Sequence, residues 1–347
     1  MKQKLFFTLV GASFALAAYA HYGTDLDLFK FITASLAVVF LAAWLGKATE
    51  SVAHYAGDRI GGFLNATFGN AAELIIAFFL VKSGYFDMVK ASITGSIIGN
   101  MLLVLGLSVF LGGLIYKEQK FNSLLAGHNA SLMILAVIAL FVPAVFMQQL
   151  PVAKINTLSV VIAVILIVAY VLWLIFSMVT HKDFLSDIEP HDGEPSWSKG
   201  VSIIMLLVAT FFVALVSEWL VHSVEVVTKA FGWSEIFVGA FVIAIIGNAA
   251  EHSAAILLAM KNRIGAAVEI AIGSSLQIAL FVAPTLVLIS WFLGQPMNIV
   301  FSPFELAAIG ASAFIAISIS RDGATNWFEG VLLLAVYIIL GTAFFFV

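Results

Sequence analysis

A five-residue word occurs twice in the chain: Gly69-Asn70-Ala71-Ala72-Glu73 returns unchanged as Gly247-Asn248-Ala249-Ala250-Glu251, 178 residues later. Both copies lie inside long apolar stretches. A carboxylate at such depth costs roughly a few kcal/mol even on the lenient insertion scale, so Glu73 and Glu251 need something that cancels their charge. A cation does so. Asn and Glu three residues apart share a helix face, and each word therefore offers an amide and a carboxylate in one direction. Glycine beside asparagine loosens helical hydrogen bonding, so Gly69 and Gly247 are expected to free backbone carbonyls as further oxygen ligands. The same offset carries Gly95-Ser96 onto Gly273-Ser274 and Gly61 onto Gly239. Ser96, Ser274, Asn100 and Gln277 thus add hydroxyl and amide oxygens from neighbouring stretches. Calcium takes six to eight oxygens and suits such a set. Magnesium would have to shed tightly held water, and one sodium ion would leave a negative charge uncompensated. Calcium fits best, with Mn2+ and other divalent cations left open.

The two acids also dictate a coupling rule. With a divalent ion bound the pair is neutral, and with two protons bound it is neutral again. With neither, two like charges face each other in low dielectric, where at least one keeps a proton. Only the neutral states cross easily. That predicts exchange of one calcium for about two protons at Glu73 and Glu251. His252 follows Glu251 directly, so the helical step of about 100° turns it off the carboxylate's face. It is expected to support proton coupling at one remove.

These residues are positioned by membrane helices. Of 347 residues, 62% are hydrophobic and 10% charged, against about 45–50% and about 25% in soluble domains. Eleven stretches approach the roughly 20 apolar residues a spanning helix needs: 5–22, 28–53, 60–82, 87–115, 124–147, 155–180, 200–229, 233–260, 264–293, 303–320 and 326–346. Lys117–Lys120, Gly294-Gln295-Pro296 and Arg321-Asp322-Gly323 punctuate them as turns. The expected fold is all-α and integral to the membrane, with about eleven transmembrane helices.

The two words lie five crossings apart, an odd number, so they enter the bilayer from opposite sides. This is the inverted repeat from which many secondary transporters build one midplane site. The expected organisation is an extra N-terminal helix at 1–24, a first five-helix repeat at 25–180, an acidic linker at 181–199 and a second repeat at 200–347. Lys2 and Lys4 ahead of the apolar run ending Ala18-Tyr19-Ala20 also fit a cleavable secretory signal, and retention is favoured. With the N-terminus cytoplasmic, eleven of the sixteen Lys and Arg residues fall inside. The C-terminus then lies outside.

The net charge of −4, with basic residues scattered singly, excludes nucleic acid as a partner. No cysteine is present, which removes thiolate zinc sites, iron–sulfur clusters and cysteine nucleophiles. No cofactor is implied. The partners are calcium, protons and the lipid bilayer, and a homo-oligomer is left open.

The pair Gly69-Asn-Ala-Ala-Glu73-Leu-Ile and Gly247-Asn-Ala-Ala-Glu251-His252, followed by Gly273-Ser-Ser-Leu-Gln-Ile278, resembles the cation/proton exchanger family within the calcium/cation antiporters. Asn65-Ala-Thr-Phe-Gly69, Gly46-Lys-Ala-Thr-Glu50 and Asn326-Trp-Phe-Glu-Gly330 extend the resemblance over nearly the whole chain. It implies export of cytosolic calcium driven by inward proton flow, with Glu73 and Glu251 as the essential carboxylates and Asn100 and Gln277 as supporting positions. A multi-pass protein of a prokaryotic plasma membrane is the expected setting. The linker stands where the family has an acidic segment, but here it is short and mixed.

Plainer readings stand beside these. Asn70, Asn248, Asn100 and Gln277 could knit helices together, and Ser96, Ser274 and Ser275 could bond their own backbone. Glu50, Glu218, His222 and Glu225 fit either an ion or proton vestibule or polar helix ends. Glu269, Glu305 and Glu329 read as interfacial or capping groups. A sodium-coupled calcium exchanger is the nearest rival function. An integral-membrane metal-dependent enzyme is the rival from another class, and the chain lacks H-E-x-x-H, G-x-S-x-G and any Walker-type loop.

Overall fold

A backbone surrounded by hydrocarbon must satisfy its polar groups within itself, and long apolar runs accordingly become helices. The computed structural model describes residues 2–181 and 195–346. Its helices are α1 (Lys2–Gly23), α2 (Asp27–Phe68), α3 (Ala71–Lys82), α4 (Phe86–Tyr116), α5 (Ser123–Phe146), α6 (Val152–Thr180), α7 (Lys199–Phe231), α8 (Glu235–Ala259), α9 (Ile264–Phe292), α10 (Pro303–Ile319) and α11 (Trp327–Phe345). Among the described residues, ten helices are long and apolar enough to cross a membrane.

The stretch expected as one span at 60–82 is divided. Residues up to Phe68 continue α2 beyond a sharp turn at Gly57, whose φ of 77° belongs to the left-handed region. Gly69 and Asn70 then interrupt the helix before the twelve-residue α3. Most of the acidic linker, residues 182–194, lies outside the described residues.

Helix α1 is followed by five helices before the linker, α2–α6, and five after it, α7–α11. In α4 and α9, 72% of the apolar window is buried, against 28% in α5, α6 and α7, so α4 and α9 form the centre. Lipid gives helices little hydrophobic reason to associate, and small residues allow the close backbone approach that packing needs. Where α11 crosses α4, a Cβ on Gly330 would stand 2.4 Å from the Phe110 nitrogen, and one on Gly113 2.4 Å from the Trp327 nitrogen. The added helix docks through rings: Phe7 meets Trp44, and Phe14 meets Phe212 and Trp219. We call the side of the molecule holding the start of α1 the first face, and the side holding its end the second.

Two segments expected as turns instead pair with each other. Strands β1 (Glu118–Lys120) and β2 (Ala324–Asn326) form an antiparallel ribbon, with Gln119 opposite Thr325. Gln119 Nε2 donates to the Ala259 carbonyl at 3.0 Å and to Asn262 Oδ1 at 3.1 Å, fastening the ribbon to the end of α8.

The two copies differ in how they close. The start of α8 lies backbone against backbone on α4: a Cβ on Gly95 would come 1.9 Å from the Ala240 carbonyl oxygen. One on Gly239 would come 2.7 Å from the Met88 oxygen and 2.8 Å from Ala91 Cβ. At the equivalent positions of the other copy, among the described residues, Gly273 meets Glu269 of its own helix, Cγ at 4.0 Å, and the atoms nearest a Cβ on Gly61 belong to Ala53 of α2. One seam is shut and its counterpart is parted.

Candidate functional site

The break at Gly69-Asn70 puts Glu73 in the first turn of α3, where unpaired backbone N–H groups and the helix dipole favour a negative charge. Glu251 lies within α8, whose helix continues unbroken through Gly247. The expectation that both words interrupt their helices therefore holds for the first alone. Both glycines nevertheless serve close approach. A Cβ on Gly247 would stand 3.0 Å from Glu73 Cγ, and one on Gly69 3.4 Å from Glu251 Oε1. Each glutamate passes over the glycine of the opposite word.

Around the acids is a cage of side chains from both halves. Ser96 Oγ and Asn248 Nδ2 each donate to Glu73 Oε1 at 2.5 Å. Asn248 Nδ2 also lies 3.0 Å from Ser96 Oγ and 2.9 Å from the Ala244 carbonyl. On the other side, Ser274 Oγ stands 2.9 Å from Glu251 Oε2 and 2.8 Å from Asn70 Oδ1. Asn70 Nδ2 donates to Gln277 Oε1. Asn100 Nδ2 donates to Ser274 Oγ at 3.2 Å, and Asn100 Oδ1 pairs with His252 Nε2 at 2.9 Å. His252, turned off the face of Glu251, thus joins the cage through Asn100.

The cage is buried and incompletely satisfied. Asn70, Asn100 and Asn248 are exposed by no more than 2%, Ser96 by 3%, Gln277 by 6% and Ser274 by 7%. Glu73 and Glu251 themselves are half-buried. Glu73 Oε2, Asn248 Oδ1 and Gln277 Nε2 are buried without a hydrogen-bond partner. Buried polar atoms are nearly always paired, and two of these three are acceptor oxygens. Such a centre can bind a hard cation or a proton.

The ten residues that the sequence offered as ligands and His252 are brought together here. The remaining candidates stand apart from the cage. Glu50 is exposed on α2, near the first face. Glu218, His222 and Glu225 sit near the far end of α7, where Glu218 faces Lys82 at 3.4 Å and Glu225 holds Lys229 at 2.5 Å and accepts from Tyr85. Burial first, and then the bond to Glu225, push the Tyr85 hydroxyl up to about 12. The four are two groups at opposite ends. Ser275 bonds the Ala271 carbonyl at 2.9 Å, as the plainer reading held. Glu305 and Glu329 complete capping boxes with Ser302 and Asn326. Glu305 is also buried and reaches Thr94 at 3.5 Å, a cross-helix contact that linear spacing did not announce.

The fold and the cage define a polytopic helical membrane protein with one polar centre built from helices before and after the linker. The chain belongs to the sodium/calcium exchanger protein family, which it matches over residues 27–179 and 201–346. It is 47% identical over 347 residues to the Ca(2+)/H(+) antiporter ChaA of Bacillus subtilis, covering 99% of both chains. It is 48% identical over 338 residues to a Ca(2+)/H(+) antiporter of Aphanothece halophytica, covering 91% of this chain and 90% of that one. Among solved structures it resembles native YfkE with a TM-score of 0.87 and 44% identity, over 99% of this chain and 100% of that chain.

Proposed function

We propose that the protein is a secondary antiporter exchanging calcium for protons by alternating access, with Glu73 and Glu251 binding either one calcium or about two protons. The observation that carries this reading is the pair of half-buried acids, one from each inverted half, surrounded by donors that leave Glu73 Oε2 and Asn248 Oδ1 unpaired. A cation or protons complete that set, and either load removes the charge that bars passage through lipid. The relatives named as Ca(2+)/H(+) antiporters support the choice of ions.

The remaining parts follow from this. Asn70, Asn248, Asn100, Gln277, Ser96 and Ser274 supply or orient oxygens, Gly69 and Gly247 admit the opposite glutamates, and His252 holds Asn100. With the first face cytoplasmic, as the distribution of Lys and Arg favours, the parted seam opens inward and the shut seam seals the outside. Cytosolic calcium then reaches the cage and leaves outward in return for protons. Glu218, His222 and Glu225 stand at the outer mouth of this arrangement and Glu50 at the inner one.

Calcium uptake into reconstituted vesicles with an imposed pH gradient tests ion, driving force and coupling together. With sodium replaced by choline, flux is expected to persist and to collapse when the pH gradient is dissipated. Flux that required sodium would overturn the reading in favour of a sodium-coupled exchanger. In the same vesicles Asn248→Ala, which removes one ligand oxygen and the donor to Glu73, is expected to raise the half-saturating calcium concentration about tenfold, or about 1.4 kcal/mol. An unchanged calcium dependence removes Asn248 from the site.

A further inference from the structure

The shut seam predicts the contacts of the seam that is parted. Subtracting or adding the offset of 178 carries Gly239 and Ala240 onto Gly61 and Gly62, and Met88, Ala91, Ser92 and Gly95 onto Ala266, Glu269, Ile270 and Gly273. In the shut seam these are the positions in contact: Gly239 against Met88, Ala91 and Ser92, and Gly95 against Ala240. Closing the other mouth therefore swings residues 58–68 about Gly57 and lays Gly61-Gly62 on the surface from Ala266 to Gly273.

One substitution spoils the symmetry of the two surfaces. The position that carries the methyl group of Ala91 in the shut seam carries the carboxylate of Glu269 in the other. Glu269 is half-buried, and its Cγ lies 4.0 Å from where a Cβ on Gly273 would be, so its stem lies along the strip of α9 that Gly61-Gly62 would have to cover. A Cβ added to Gly239 would already stand 2.7–3.1 Å from Met88, Ala91 and Ser92, so the shut seam has no room for a side chain larger than the methyl group of Ala91.

We infer that Glu269 is a positioning residue for the inner gate: it holds the first-face mouth open when the protein is unloaded and so sets the balance between inward- and outward-open states. The assignment rests on the alternating-access reading. It also accounts for why the copy bearing Glu269 is the one that is parted, whereas its twin bearing Ala91 is shut.

The chain has no cysteine, so a single Ala266→Cys substitution gives a clean reporter. Ala266 is now half-exposed, and its twin Met88 is covered in the shut seam. In nanodisc-embedded protein, Glu269→Ala is expected to slow alkylation of this reporter several-fold. It is also expected to weaken apparent calcium affinity from the first face by the same factor, with the maximal exchange rate less affected, since affinity scales with the open fraction. Alanine is the best helix former, so loss of fold is not at issue. An alkylation rate that is unchanged or faster, while calcium still shifts it in the parent, overturns the role of Glu269 alone. A reporter that responds neither to calcium nor to protons overturns the alternation beneath it.

Discussion

Replacing Glu73 or Glu251 with glutamine is expected to abolish calcium-dependent proton movement while leaving the protein folded. Glutamine keeps the volume of glutamate and its carbonyl oxygen, so Ser96 and Asn248 retain an acceptor at position 73, and Ser274 retains one at position 251. Packing over Gly247 and Gly69 is unchanged in size. What disappears is one negative charge and one titrating group. A bound calcium ion would then carry an unbalanced positive charge among buried side chains, a penalty of several kcal/mol, roughly. A shift of about 4 kcal/mol is about a thousandfold in affinity, which takes binding out of the working range. The proton arm fails for a separate reason, since an amide takes no proton in exchange. Fluorescent pH dyes inside calcium-loaded vesicles measure the exchange, and circular dichroism with size-exclusion elution monitors the fold. Exchange retained in either variant would remove the paired acids from the mechanism.

Gly95→Ala is the second large effect, and it acts through shape alone. The added methyl group would lie 1.9 Å from the Ala240 oxygen and 2.4 Å from that residue's carbonyl carbon and Cα. All three are backbone atoms, so no side-chain rotation relieves the clash and α8 must move off α4. Overpacking of this kind costs about 1–3 kcal/mol. The seam that seals the second face is then held apart, and exchange is expected to fall at least about tenfold, with a lower melting temperature in detergent. Gly273→Ala makes the same chemical change at the twin position, where nothing stands nearer than 4.0 Å, and its melting temperature is expected to stay at that of the parent. Full exchange and unaltered melting in Gly95→Ala would show that the seam is not the seal.

Much of the site was legible in the sequence because the duplicated word is a local signal. Two identical pentapeptides, each with an acid in an apolar run, identify the inner cage without any knowledge of packing. Adding Ser96, Ser274, Asn100 and Gln277 needed only helical spacing and the shared offset. Other features were not legible because they depend on contacts between helices and loops distant in the chain. The helix breaks at Gly69 and continues through Gly247, although the pentapeptides are identical, so tertiary packing rather than composition decides. The bond from His252 to Asn100 spans 152 residues, and the β1–β2 ribbon joins loops far apart in the chain. Neither has a periodicity to betray it. Glu269 and Glu305 were read from their closeness to helix ends, whereas the groove beside Gly273 and the neighbour Thr94 lie on other turns and other helices.

Ser274 has a single hydroxyl hydrogen and two oxygens waiting for it, Asn70 Oδ1 at 2.8 Å and Glu251 Oε2 at 2.9 Å. While Glu251 holds its own hydrogen, the hydroxyl is free to serve Asn70. Once the acid ionises, the charged oxygen makes the stronger claim, the hydroxyl rotor turns, and the Asn70 carbonyl is left bare. Losing a proton and baring the Asn70 oxygen are then linked through one bond, so the lone pair that ionisation frees is presented to an arriving ion on the amide oxygen, and the other half-site's asparagine is drawn into the response of Glu251.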